Sequence, residues 1–294
     1  MSKRKIAWLA FVVMVALVLP LSAISPLPAQ QAQAQEAPVV EVLADEAAPL
    51  AANPYHATVN GVPMTSDPML TAHNGVTYVS LRNVITALTP GAQVSWNGTA
   101  ATVYKEGVLS LTAVPGQDYI VANGRYLPVD TGVTAKGGAV LLPLDVVVKA
   151  ADARYTWQNG SVAFTTGSGG ILSGDQYYNA DDLYWLSRII YSESGNQPLS
   201  GKIAVGNVVL NRVKSPQFPN SVYGVIFQRN QFSPVKNGTI KRTPNAESVM
   251  AAKLCLDGAV ELDNALWFNR VGLNSWASRN RTFVATIAQH SFYA

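Results

Sequence analysis

Glu193 is the residue whose type and setting point most directly to chemistry. From Tyr178 to Ala294 the only carboxylates are Asp181, Asp182, Glu193, Glu247, Asp257, Glu261 and Asp263. Leu183, Leu186, Ile190 and Glu193 stand at i, i+3, i+7 and i+10, which on a helix sets the glutamate beside the face turned toward the rest of the fold. A carboxyl aimed inward is poorly hydrated. Its charged form is disfavoured and its pKa raised, so it can hold a proton at neutral pH and release it as a general acid. The same spacing also fits an exposed glutamate at the end of a surface helix, and spacing alone leaves both readings open.

Three helices are expected to build the surroundings of this residue. Asp181 or Asp182 can cap the first, Leu183 to Tyr191. The second, Leu199 to Val213, is strongly apolar, with Ile203, Val209, Leu210 and Val213 as core positions and Gly206 allowing a close approach. Thr243-Pro244 opens a third, Asn245 to Asp257, which Gly258 closes. The lone cysteine, Cys255, lies on that helix and excludes an intramolecular disulfide. It reads as a small buried apolar residue; a thiol nucleophile would need a base partner that the three histidines hardly supply.

The 294 residues suggest about two domains. Lys3, Arg4 and Lys5 precede the apolar run Ile6 to Leu19, and Ala32-Gln33-Ala34 offers a cleavage point, so residues 1–34 read as a signal peptide or, uncleaved, as an N-terminal anchor. Export follows from either. Residues 35–54 read as a disordered leader. From 55 to 166, short β-branched and aromatic runs alternate with Asn60-Gly61, Asn74-Gly75, Asn97-Gly98, Asn123-Gly124 and Asn159-Gly160.

This segment repeats. Val79-Ser80-Leu81-Arg82-Asn83-Val84 is echoed 63 residues later by Leu142-Pro143-Leu144-Asp145-Val146-Val147, and Trp96-Asn97-Gly98 by Trp157-Gln158-Asn159-Gly160. Each copy reads as a hairpin, a short helix (Leu81 to Leu88; Leu144 to Ala151) and a closing strand. Residues 167–177 have the composition of a flexible Gly/Ser linker, and a second domain spans 178–294. The first domain's charges cancel. The second has twelve basic residues against seven acidic ones, a net +5, which suits a carboxylate-bearing or polyanionic partner.

Val79 to Arg82 followed by Val94 to Gly98 resembles the copper-amine-oxidase N-terminal-like domain, a small α/β stalk module. His56 and His73 are too few to suggest a metal site and read as incidental surface groups. In the second domain, Tyr191-Ser192-Glu193, Ala204 to Val213, Phe218-Pro219, Gly224-Val225-Ile226, Gln231-Phe232-Ser233-Pro234 and His290-Ser291-Phe292-Tyr293 follow in an order similar to the SleB-type cell-wall hydrolases, the spore-cortex-lytic enzymes. The resemblance implies an α+β chain: a duplicated α/β stalk followed by a mostly helical domain of the lysozyme superfamily. It also implies cleavage of the MurNAc–GlcNAc bond of peptidoglycan as a lytic transglycosylase, with Glu193 as the catalytic glutamate. Where the family commonly runs Ala-Arg-Gly-Glu-Pro after the glutamate, this chain has Ser194-Gly195-Asn196-Gln197-Pro198, without the arginine or second acid.

On that reading Gln231 and Ser233 are candidates to bond sugar hydroxyls, and Phe232 to stack on a pyranose ring, against the alternative of a packed loop tip. Trp267, Phe268 and Asn269 line a glycan groove or belong to the core. His290 is either a second proton-transfer group or structural. Asn211 and Arg212 fix the helix around the site. The reading assigns glycan strands as partner, with no cofactor, no metal and no nucleic acid. A regulatory protein at the wall and the oligomeric state stay open. A wall-binding protein without catalysis is the alternative; a zinc amidase or endopeptidase would need more ligands than the second domain's lone histidine, His290, supplies.

Overall fold

The turn dipeptides fold as their chemistry demands. In the computed structural model, which describes residues 57–158 and 160–294, Asn60-Gly61, Asn74-Gly75 and Asn123-Gly124 each place two successive residues at positive φ. That conformation suits two-residue hairpin turns, and Asn and Gly tolerate it best. Each closes a hairpin: Ala57–Val59 with Val62–Pro63, Thr71–His73 with Val76–Ser80, and Tyr119–Ala122 with Arg125–Pro128. Asn97 acts differently, its side-chain oxygen accepting from the N–H groups of Thr99 and Ala100 at 3.0 and 2.8 Å. The signal and leader segments, His56 and Asn159 lie outside the described residues.

The repeat becomes a local twofold. Val76–Ser80 and Ala139–Pro143 pair antiparallel at the centre of a four-stranded sheet, with Val79 opposite Leu142, the positions 63 residues apart that the repeat equates. Each strand runs into a helix, α1 (Leu81–Leu88) and α2 (Leu144–Ala150). Ser80 caps α1 by accepting from Asn83 N–H at 3.3 Å, whereas Pro143 has no side-chain oxygen to cap α2. A five-stranded meander runs from Gln93–Trp96 to Arg125–Pro128, and Ala57–Val59 lies parallel to Ser161–Thr165 in a third sheet. Val79, Ile85, Leu142, Val147 and Phe164 share the core between them.

The segment expected as a flexible linker is strapped down. Ile171 is buried and its N–H donates to Ala150 O at 3.1 Å, Gly174 N–H donates to Asn123 O at 2.8 Å, and Thr89 Oγ1 donates to Gly169 O at 2.6 Å. A Cβ on Gly167 would sit 1.9 Å from Asp152 O, and one on Gly170 2.2 Å from Val108 O. These glycines permit close backbone approach, and composition cannot tell that use from flexibility.

Helices dominate the second half. After α3 (Gly174–Tyr177) come α4 (Ala180–Ser194), α5 (Leu199–Lys214), α6 (Val222–Phe227), α7 (Ser233–Asn237), α8 (Ala246–Leu256) and α9 (Trp276–Asn280). The cap of α4 is Asn179 rather than either expected aspartate: its Oδ1 accepts from Asp181 and Asp182 N–H at 3.0 Å each. The two acids occupy the first turn, where negative charge faces the positive helix end. Leu186, Ile189 and Ile190 of α4, Ala204, Val205, Val208 and Val209 of α5, and Ala251, Ala252 and Cys255 of α8 form a separate core. Of the core positions expected on α5, Ile203 and Val209 are buried, while Leu210 and Val213 only pack against its edge.

Gly206 is where the three helices meet, since a Cβ there would lie 2.6 Å from Cys255 Sγ and 3.0 Å from Ile190 Cδ1. Gly206→Ala should therefore cost about 1–3 kcal/mol, read as a lower urea midpoint at unchanged slope. A three-stranded sheet, with His290–Tyr293 between Trp267–Arg270 and Phe283–Ile287, completes this half. The helical expectation had no strand here. The chain is α+β as a whole, and no helix among the described residues is long and apolar enough to cross a membrane.

The two cores are joined through Asp257, at the C-terminal cap of α8. Its side chain is wholly buried, ion-paired with Arg125, 3.5 Å from Lys149 Nζ and accepting from Tyr178 OH at 2.5 Å. Burial first, then the Asp257 hydrogen bond, pushes the Tyr178 phenol well above its ordinary range. The Arg125 guanidinium also lies over the Tyr177 ring, 3.2 Å from its centroid.

Candidate active site

Glu193 sits in the last turn of α4, one residue before the helix ends. The stripe of Leu186 and Ile190 that buries the helix carries on to it, but the carboxyl meets a cleft instead of the core. That cleft measures about 550 Å³ and is lined by Tyr191, Ser192, Glu193, Gly195, Asn196, Ser233, Pro234, Asn237, Thr239, Arg242 and Asn245. Burial raises the Glu193 pKa from 4.5 to about 7. The negative end of α4 acts in the same sense. No hydrogen bond or ion pair from a described residue reaches the carboxylate to offset this. The result is a carboxyl about half protonated near neutrality, facing open space, as a proton donor requires.

The loop after Glu193 is held at several points. Ser194 Oγ donates back to Ile190 O at 2.8 Å, and Asn245, which caps α8, also donates its amide to Gly195 O at 3.4 Å. A Cβ on Gly195 would lie 2.5 Å from Tyr191 O, so the turn out of the helix needs glycine. Buried Lys202 donates to Gln197 O and to Glu247 Oε2, the latter at 2.7 Å. Gln197 Oε1 accepts from Gln289 N–H at 3.1 Å, which leaves its amide nitrogen to donate to His290 Nδ1 at 3.0 Å. Gln197 thus stands where the resembling family carries its second acid, and together with Lys202 it braces the loop.

The expected substrate residues do not all converge on the cleft. Ser233 does, as the first residue of α7. Gln231 is exposed on the preceding turn and does not line it. Phe232 is buried against Phe268 and under Arg212, so its ring has no free face for a sugar. Trp267 packs between Phe218 and Trp276 with Arg281 over its ring at 4.2 Å, outside the cleft. Asn269 Oδ1 accepts from Ser275 Oγ at 2.6 Å and its amide donates to Arg270 O at 2.8 Å, a structural use. His290 is buried with its ring edge-on to Phe268, and burial lowers its pKa. It is a neutral brace for Gln197 rather than a proton-transfer group in the cleft.

Asn211 and Arg212 tie α5 to the chain ahead of the sheet: Asn211 donates to Leu262 O and Ala265 O at 3.0 and 3.2 Å, and Arg212 Nε donates to Leu266 O at 2.7 Å. Sequence reasoning missed Asn237, Thr239, Arg242 and Asn245, which the fold brings in between the last residue of α7 and the N-cap of α8. Arg242 is the one cation among the lining residues and carries no local signature. Asn245, expected as the first residue of the third helix, instead caps it and anchors Gly195. Among the described residues no group of three or more His, Cys, Asp or Glu could hold a metal ion.

Comparison with known proteins places both halves. Residues 196–293 match the family model for cell wall hydrolase, beginning three residues after Glu193, and residues 58–166 match the copper amine oxidase N-terminal domain. A spore cortex-lytic enzyme of Bacillus cereus is 36% identical over 116 residues, covering 39% of this chain and 45% of the relative. One from Oceanobacillus iheyensis is 31% identical over 135 residues, covering 46% and 49%. The chain thus spans about half the length of these curated relatives. The catalytic domain of the germination-specific lytic transglycosylase SleB from Bacillus anthracis is 33% identical, with a TM-score of 0.38, over 42% of this chain and 100% of that one. By these sequence matches the chain belongs to the cell wall hydrolase family, its hydrolase domain standing behind a copper amine oxidase N-terminal domain.

Proposed function

We propose that this protein is an exported enzyme that cleaves the MurNAc–GlcNAc bond of peptidoglycan as a lytic transglycosylase, with Glu193 as its single proton-transfer group. The observation that carries the reading is a half-buried, proton-holding carboxyl in a cleft whose lining holds no second carboxylate. Glycoside hydrolysis by water ordinarily takes two carboxylates, one as acid and one as base or nucleophile. One suffices if the sugar supplies the nucleophile. Glu193 donates its proton to the glycosidic oxygen as the C1–O bond breaks. The 6-hydroxyl of the muramoyl residue then bonds to C1 and gives its proton back to Glu193, closing a 1,6-anhydro ring. Ser233 and Asn196 offer hydrogen bonds to sugar hydroxyls and acetamido groups, and exposed Arg242 suits the carboxylates of the lactyl-peptide branches. The basic N-terminal segment and its apolar run support export, and the names of the relatives support the substrate class.

Digestion of purified peptidoglycan followed by mass spectrometry tests this. Anhydromuramic ends are expected; reducing MurNAc ends would make water the nucleophile, cleaved peptide bonds would place the activity elsewhere, and binding without products would make the protein a wall-binding module.

A further inference from the structure

Outside the Glu193 cleft, aromatic rings gather at the other end of α4. Trp185 stands at their centre, its ring 4.8 Å from Tyr184, 5.7 Å from Tyr223 and 4.8 Å from Phe227, and the rings of Tyr223 and Phe227 stack at 4.4 Å. Tyr184 and Tyr223 are 46% and 53% exposed, far more than a core cluster needs. The Arg188 guanidinium lies 3.5 Å over the Tyr184 ring, and its Nε is shielded from solvent with no hydrogen-bond partner. An exposed set of amphipathic rings beside a guanidinium suits a ligand surface better than packing.

Tyr184, Arg188 and Tyr191 stand at i, i+4 and i+7, one stripe of α4, and Tyr191 lines the Glu193 cleft. Seven residues of helix advance ~10 Å, a span comparable to a disaccharide repeat. We propose that Tyr184, Tyr223 and Arg188 form a remote subsite for the same peptidoglycan glycan strand, the rings packing against a pyranose face and the guanidinium meeting a lactyl or stem-peptide carboxylate. This rests on the glycan-cleaving reading of Glu193, and it commits to a strand running along α4 away from the scissile bond. Binding energy collected there would favour long strands over short ones.

The test compares wild type with the Tyr184→Ala/Tyr223→Ala chain on purified glycan strands of two lengths, one long and one just filling the Glu193 cleft. The ratio of kcat/KM for long over short strands should fall about tenfold in the variant. Arg188→Gln should lower that ratio only for strands that keep their stem peptides. An unaltered ratio in both variants overturns the proposal while leaving the role of Glu193 standing. If wild type cleaves neither strand, the glycosidase reading fails instead. Cosedimentation of the Glu193→Gln chain with insoluble peptidoglycan, with and without the two tyrosine substitutions, then decides the subsite: weaker binding supports it and equal binding overturns it. Equal thermal midpoints confirm that removing exposed phenols leaves the fold intact.

Discussion

Glu193→Gln should lower peptidoglycan cleavage by ~10³-fold or more, because the only carboxyl in the cleft supplies both proton transfers and an amide can make neither. The wild-type rate should also fall as pH rises past about 7, where the donor loses its proton. The same substitution should stabilise the protein at alkaline pH. The folded chain holds this proton up to about pH 7, whereas the unfolded chain releases it near the ordinary 4.5, so ionisation of Glu193 opposes folding. The penalty is absent below pH 4.5, grows through the window and is complete above 7. A shift of that size corresponds to about 3 kcal/mol, and solvent in the cleft reduces the expected difference to about 2 kcal/mol. Urea unfolding should therefore show Glu193→Gln more stable than wild type at pH 8 and equal to it at pH 4. Equal stability at both values would mean the carboxyl is well solvated.

Asp257→Ala should be the most damaging single change to stability, at about 3–5 kcal/mol. Truncation leaves Arg125, itself buried, without its carboxylate, and leaves the Tyr178 hydroxyl without its acceptor. Asp257→Asn keeps an acceptor for Tyr178 and should cost less. Thermal unfolding of the alanine variant should begin with separation of the two cores, seen as a second transition at lower temperature, because the bonds of Lys149, Lys253 and Tyr178 that remain across the joint leave the buried Arg125 charge unpaired. A single transition at the wild-type midpoint would show that the ion pair contributes nothing net.

Much of the fold was legible because local chemistry and tertiary need agree. The 3.6-residue period placed α4 and α5 to within a few residues, the Asn-Gly turns marked hairpins, and Gly206 was readable as a close approach. The repeat located α1 and α2, although it could not show that the equated residues Val79 and Leu142 would face each other. What local pattern could not show was long-range pairing. The sheet around His290–Tyr293 is built from strands whose apolar residues do not alternate cleanly, because its central strand is buried throughout. The strap at 167–174 looked flexible because glycine serves close approach and disorder alike. At the site, Glu193 and Ser233 were readable, but Asn237 reaches the cleft from the end of α7 and Arg242 only through the path between α7 and α8. Phe232 and His290 carried plausible chemistry in sequence and proved to be packing, since a residue type does not reveal which way its side chain is turned.

The central claim is that Glu193 keeps its proton near neutrality without any partner to hold it there. Carbon-13 NMR titration of the glutamate carboxyls, with the Glu193 resonance assigned by its loss in Glu193→Gln, measures this directly. A midpoint near pH 7 is the predicted result; a midpoint near 4.5 would contradict the account.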